Sequence, residues 1–261
     1  MFDSTSAAKG EHQMQQDKLR QDVLEHPDTR SAFLRKLGVG GATLVGGGVL
    51  LGGTAGVARA GHTDSIPDVD VLNYALTLEY LEAVFYTQAL GGAGTTGVPS
   101  ARARFSRGAI TGNKAIAGFG GRIRSTAYGY LLAIRDHEVT HVNFLRTALG
   151  AAAIPPATFN FTAALRTVDT FLTTARVLEN TGVMAYDGAI RYVDSGDFLQ
   201  AGAQIATVEA RHAAYLNLIT RMSPFPSAFD VGKKPSEILA AARPFLATVP
   251  PEVTALFGRL P

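Results

Sequence analysis

Cysteine is absent from this 261-residue chain, and so is tryptophan. Without cysteine there is no disulfide, no thiol nucleophile and no thiolate to hold a metal. Any metal must therefore rest on carboxylate and imidazole, a donor set that suits iron, manganese or zinc. Charge is sparse as well: 18% of residues are Asp, Glu, Lys or Arg, against 46% hydrophobic, which excludes a disordered chain. Net charge is +2, and residues 1–60 hold 7 Lys/Arg and 6 Asp/Glu, leaving 17 against 16 for the rest. No basic tract interleaved with aromatics is present, so nucleic acid is not an expected partner. No alternating Val/Ile/Thr pattern marks a strand, which points to an all-α chain.

The N-terminal part differs in composition from the remainder. Residues 1–28 are polar and mixed in charge, and Thr29-Arg30-Ser31-Ala32-Phe33-Leu34-Arg35-Lys36 then leads into an uncharged run, Leu37 to Val57. Ala58-Arg59-Ala60 closes that run with small residues at the positions a signal peptidase reads. This is an export signal, resembling the twin-arginine type with Ser31 in place of the second arginine. A membrane anchor is the rival reading, but nine of the twenty-one residues in the run are glycine, poor for a stable span. The organisation expected is a cleaved segment 1–60, a helical domain 61–222, and a Pro-rich C-terminal extension 223–261 packing on it. Export to the periplasm, envelope or exterior follows, with membrane contact only through an uncleaved N-terminus.

Beyond residue 61 apolar residues recur at helical spacing. Leu72, Leu76, Leu81 and Phe85 mark a first helix over Asp68 to Leu90, and Leu131, Ile134, Val142 and Leu145 a second from Gly121 to Leu149. A third is expected from about Leu165 to Asp194 and a fourth from Gly196 to about Met222. Residues 91–118 read as a long loop with a short helix.

The second helix carries His137-Glu138-Val139-Thr140-His141 and the fourth carries Glu209-Ala210-Arg211-His212. Glu and His three apart leave a helix on one face, so Glu138 with His141 and Glu209 with His212 form two carboxylate–imidazole pairs. Two helices with such pairs, completed by one Glu from each of two more helices, make a di-metal carboxylate site. Glu79, Glu82 and Glu179 are the candidates for the completing pair. An internal echo supports this: Glu79 precedes Tyr86 by seven residues, and Glu179 precedes Tyr186 by seven. Each half of the domain thus reads Glu-x6-Tyr, then Glu-x-x-His. Burying four carboxylates with no counter-charge costs on the order of several kcal/mol, so site and metal imply each other.

Each element also has an ordinary reading. One Glu-x-x-His on a helix is common by chance; the repetition carries the signal. Glu82 defaults to a solvated or hydrogen-bonded structural residue, and Tyr86 and Tyr186 to core packing, although a phenol beside a metal can also donate to a ligand. His137-Glu138-x-x-His141 also matches the zinc-peptidase pattern, with Glu138 as general base. That reading leaves Glu209, His212 and both Glu-x6-Tyr segments unexplained.

Leu76-Thr77-Leu78-Glu79-Tyr80-Leu81-Glu82-Ala83-Val84-Phe85-Tyr86 resembles the opening helix of the ferritin-like domain family of exported bacterial and desiccation-related proteins. His137-Glu138-x-x-His141, Leu178-Glu179-x-x-Gly182-Val183-x-Ala185-Tyr186 and Val208-Glu209-Ala210-Arg211-His212-Ala213 continue that pattern in order. The resemblance implies a ferritin-like four-helix bundle with metal ligands Glu79, Glu138, His141, Glu179, Glu209 and His212. The Glu-x6-Tyr relation selects Glu79 over Glu82, and on the di-iron reading Glu138 and Glu209 are the carboxylates expected to bridge. The implied cofactor is two metal ions, iron first, manganese next and zinc last. The implied partners are those ions and dioxygen or peroxide, and a homo-oligomer is compatible with the class. The implied activity is di-iron oxidoreduction of ferroxidase or peroxidase type in stress protection, with no catalytic residue assigned beyond the ligands. A metal-stabilised envelope or desiccation-related structural protein is the alternative. The rubredoxin-like domain of a rubrerythrin peroxidase, with its four cysteines, is missing.

Overall fold

The computed structural model describes residues 66–261. The chain divides into two units, Met1–Arg59 and Ala60–Pro261, and every described residue belongs to the second. The expected export segment, with Arg30 and Ala58-Arg59-Ala60, lies outside the described residues. No described helix is long and apolar enough to cross a membrane.

The described residues are mostly helical, as expected of an all-α chain. Four helices exceed twenty residues: α1 (Asp68–Leu90), α4 (Gly121–Leu149), α5 (Val168–Ala189) and α6 (Gly196–Ile219). Two short helices, α2 (Arg107–Gly112) and α3 (Lys114–Ala117), occupy the α1–α4 connection, where the sequence predicts one. Helices α7 (Pro235–Ala242) and α8 (Pro251–Phe257) lie in the C-terminal tail. A short antiparallel ladder departs from the strand-free expectation: β1 (Thr158–Phe159) pairs with β2 (Leu246–Thr248). Two or three residues are too few to show any alternation in the sequence, and the ladder exists because the tail returns to the α4–α5 connection.

Local chemistry sets the helix ends. Helix α5 begins three residues later than expected because Thr167 and Thr170 bond each other's backbone N–H in a capping box. It ends earlier, tightening into a 3-10 turn over Ile190–Tyr192. The Asp68 carboxylate accepts from the amides of Asp194 and Ser195, tying the start of α1 to the α5–α6 corner. Helix α6 stops at Ile219, because Arg221 takes a positive φ of 67° and the Met222 amide turns back to the Asn217 carbonyl.

Helix α1 packs along α4, α5 along α6, and α1 also meets α5. Burial then reads as stripes. On α4 the buried positions are Ala127, Leu131, Ile134, Glu138, His141, Val142, Leu145 and Leu149, and on α6 they include Ile205, Glu209, His212, Leu216 and Ile219. Steps of three and four hold throughout, so the glutamates and histidines occupy positions of the apolar face itself. Helix α1 is buried on almost every side, since the tail covers what the other long helices leave open. The tail is held there by a two-pronged ion pair from Arg259 to Asp70, at 2.7 and 2.8 Å. Toward one end of the long helices the core is aromatic: Phe85, Tyr86, Phe105, Phe161 and Phe171 meet with ring centroids 5.2 to 6.1 Å apart. Each such ring contributes roughly 1.5–3 kcal/mol through burial.

Candidate metal centre

The structure brings all six expected ligand residues together in the core. Glu79, Glu138, Glu179 and Glu209 are fully buried, and His141 and His212 nearly so. Two sets of ligand atoms emerge, each lying within 4.8 Å of one another: Glu79, Glu138, His141 and Glu209, then Glu138, Glu179, Glu209 and His212. Glu138 and Glu209 belong to both sets. Each set therefore contains one imidazole, one carboxylate of its own and two shared carboxylates.

The distances give the two sets their form. His141 Nδ1 lies 3.2 Å from Glu79 Oε2, 3.2 Å from Glu138 Oε2 and 3.3 Å from Glu209 Oε1. His212 Nδ1 lies 3.0 Å from Glu138 Oε1, 3.1 Å from Glu179 Oε2 and 4.0 Å from Glu209 Oε2. The shared carboxylates thus direct one oxygen to each imidazole, whereas Glu79 and Glu179 each direct only one oxygen inward.

Two phenols hold the other oxygens of Glu79 and Glu179, and they do so crosswise. Tyr186 donates to Glu79 Oε1 at 2.5 Å and Tyr86 donates to Glu179 Oε1 at 2.6 Å. The ordinary reading of these tyrosines as core packing is incomplete: both rings are buried, and both hydroxyls bond a site carboxylate. Sequence spacing places each Tyr on the face of its own Glu. Only the packing of α1 against α5 hands each hydroxyl to the Glu of the other half.

Glu82 is 4% exposed, lines a cavity beside α5, and makes no hydrogen bond to another described residue. His137 is exposed on α4 and turns its Nδ1 to within 2.9 Å of His212 Nε2, the rings stacked at 20°. It stands outside both sets of ligand atoms. The zinc-peptidase pairing of His137 with His141 is therefore not the one the helices assemble, and a contact between His137 and His212, seventy-five residues apart, has no signature in the sequence.

Electrostatics follow from this crowding. Burial pushes the Glu79 carboxyl up, against the pull of His141, to about 7. Burial and then Glu209 push Glu82 well above the usual carboxylate range, and burial and then Glu138 do the same to Glu209. Burial also opposes ionisation of Glu138, but His141 and His212 outweigh it and hold this carboxyl below its ordinary value. Burial would lower both imidazoles, yet Glu79 and Glu138 raise His141 strongly, and Glu179 with Glu138 lifts His212 to about 11. Without a cation, protons carry the counter-charge.

The donor set fits a pair of divalent ions. Glu138 Oε1 and both Glu209 oxygens are buried with no hydrogen-bond donor. A cation between them and the imidazoles would satisfy acceptors that only the two histidines approach. Four carboxylates and two imidazoles, with no thiolate, suit iron, manganese or zinc. Glu79, Glu138, His141 and Glu209 would hold one ion, and Glu138, Glu179, Glu209 and His212 the other.

No curated protein was found to match the chain. The sequence profile of the ferritin-like domain matches residues 67–221, which span α1 to the end of α6. With that match covering more than half the chain, and a buried cluster drawn from all four long helices, the protein belongs to the ferritin-like domain family.

Proposed function

We propose that this chain is an exported ferritin-like four-helix bundle that binds two iron ions and oxidises Fe(II) with dioxygen or peroxide in protection against oxidative stress. The observation that carries the reading is the sharing of Glu138 and Glu209 between two sets of ligand atoms, each with its own imidazole. Glu138 and Glu209 would be held in common by two ions, and their charge would offset the repulsion of two adjacent dications. Glu79 and Glu179 would each hold one ion, with their second oxygens taken by Tyr186 and Tyr86. Bound iron supplies the one-electron chemistry: two Fe(II) give up two electrons in all. Dioxygen taking two electrons and two protons leaves as hydrogen peroxide, and hydrogen peroxide taking two electrons and two protons leaves as two waters. The chain's part is to hold the ions adjacent, to exclude bulk water, and to give up the protons carried by His141, His212 and Glu79 as the ions bind.

The second reading is a structural protein in which the metals join the helices and no turnover occurs. It is favoured by the same geometry, since the ligands come from four helices and any bound ion ties them together. Ferroxidase rate separates the two readings, because both require metal-dependent melting and only the first requires oxidation of added Fe(II).

Elemental analysis with electronic spectra on protein purified without added metal tests the shared premise. The expected result is about two iron or manganese ions per chain, retained in His137→Ala and lost in Glu209→Ala and His212→Ala. One zinc per chain, lost with His137→Ala and indifferent to Glu209, would instead establish the peptidase pairing.

A further inference from the structure

Glu82 is the core glutamate that both sets of ligand atoms leave out. It lies three residues after Glu79 on α1, and the matching position on α5, three residues after Glu179, is Gly182. The two halves of the domain differ here, and the fold places the two differing positions against each other. A Cβ added to Gly182 would lie 3.4 and 3.8 Å from the oxygens of Glu82 and 3.2 Å from Glu209 Oε2. Gly182 therefore leaves a notch in α5 that both the Glu82 and the Glu209 carboxylates border. Glycine inside a helix costs about 1 kcal/mol relative to alanine, so the notch is not there for helix stability.

On its outer side Glu82 lines a cavity between α1, α5 and α7, with Leu78, Leu81, Val177, Thr181 and Phe245 among its walls. Val177 and Ala241 at its rim are exposed. Glu82 is the one acid in this lining, and the Thr181 hydroxyl is already given to the Val177 carbonyl. A buried carboxyl with no donor destabilises the fold, and an aliphatic residue would fill the position at no such cost. A cation crossing an apolar neck, by contrast, needs a carboxylate to offset its lost hydration.

We infer that Glu82 is an uptake ligand for divalent cations: it meets a cation arriving from solvent through the cavity between α1, α5 and α7 and passes it across the Gly182 notch to Glu209. The inference rests on the reading of the six-residue cluster as a metal centre. The chemical class it takes is a hydrated divalent cation, and its role is transient, distinct from that of the resident ligands.

The test follows Co(II) uptake by absorbance in metal-stripped full-length protein. In Glu82→Gln the expected outcome is the wild-type stoichiometry at saturation, reached roughly tenfold or more slowly. Glu82→Asp should recover part of the rate. Gly182→Ala, which fills the notch with a methyl group, should slow loading with Glu82 intact, and thermal melting of each variant checks that it is folded. Wild-type loading rates in Glu82→Gln would overturn the inference, and so would a lowered final stoichiometry, which would make Glu82 a resident ligand. If wild-type protein takes up Co(II), Glu209→Ala does not, and Glu82→Gln is indistinguishable from wild type, only this inference falls. If wild-type protein takes up none, the metal-centre reading falls with it.

Discussion

At the scale of single residues, the hydrogen bond from Tyr186 to Glu79 has a consequence beyond packing. The phenol favours the ionised form of Glu79, partly offsetting the burial that lifts this carboxyl to about 7. Tyr186→Phe keeps the ring and its contacts but removes that donor. Glu79 then holds its proton to higher pH, and cations compete with that proton less well at neutrality. The expected outcome is a metal-uptake midpoint displaced to higher pH, with affinity at pH 7 reduced by roughly 10- to 100-fold. Isothermal titration across a pH series measures it; an unchanged midpoint would mean that the phenol does not control this carboxyl. Tyr86→Phe should act on the Glu179 side, since Tyr86 donates to Glu179 Oε1.

At the scale of elements, the site depends on four helices holding their polar residues at core positions, and the tail packs against two of them, α1 and α5. The tail passes so close to α5 that a Cβ on Gly188 would sit 1.8 Å from the Lys233 carbonyl oxygen, while the Lys233 amide donates to the Met184 carbonyl at 3.0 Å. Backbone cannot yield to that clash as a flexible side chain would. Gly188→Ala should therefore displace the segment around Lys233 and lower stability by about 1–3 kcal/mol, in the range of overpacked core sites. The expected signature is early proteolytic cleavage between Met222 and Pro235, with metal stoichiometry retained because Gly188 contributes no atom to the cluster. Loss of metal together with the tail would show that the tail clamps the site as well as covering α1.

At the scale of the whole molecule, protons and metal ions compete to balance the same buried carboxylates. Glu79 titrates near 4.5 when unfolded and near 7 in the folded, metal-free protein. Between those values the native state holds a proton that the unfolded chain has released, so stability falls as pH rises through this window. His212, lifted to about 11, adds stability that is fully present below about 6.5, declines as pH rises above that value, and is gone once pH has passed about 11. Metal-free protein should thus melt progressively lower from pH 4.5 to 7, with most of the imidazole contribution still in place at the upper end. Bound metal replaces the Glu79 proton, so this decline should disappear in the loaded protein. At a free-metal concentration of about 1,000 Kd the loaded form gains about 4 kcal/mol, or a Tm higher by about 10 °C at pH 7. Differential scanning calorimetry with and without metal checks both statements, and equal pH slopes for the two forms would contradict them.

Much of this protein is legible from residue order. The long helices follow from the three-to-four spacing of apolar residues, and the ends of α1 and α4 fall where Gly91 and Gly150 stop them. Glu138, His141, Glu209 and His212 declare themselves by sharing a helical face, and Glu79 and Glu179 by the repeated interval to a tyrosine. All of these signals are local, set by the period of one helix. What tertiary structure decided is everything that passes between helices: the crossed phenol bonds, the sharing of Glu138 and Glu209 between both imidazoles, and the contact of His137 with His212. The burial of Glu82 against Gly182 belongs to the same class. Sequence spacing reports which residues share a face of one helix, but side chains from different helices meet only through interhelical packing, which a single helix's periodicity does not encode.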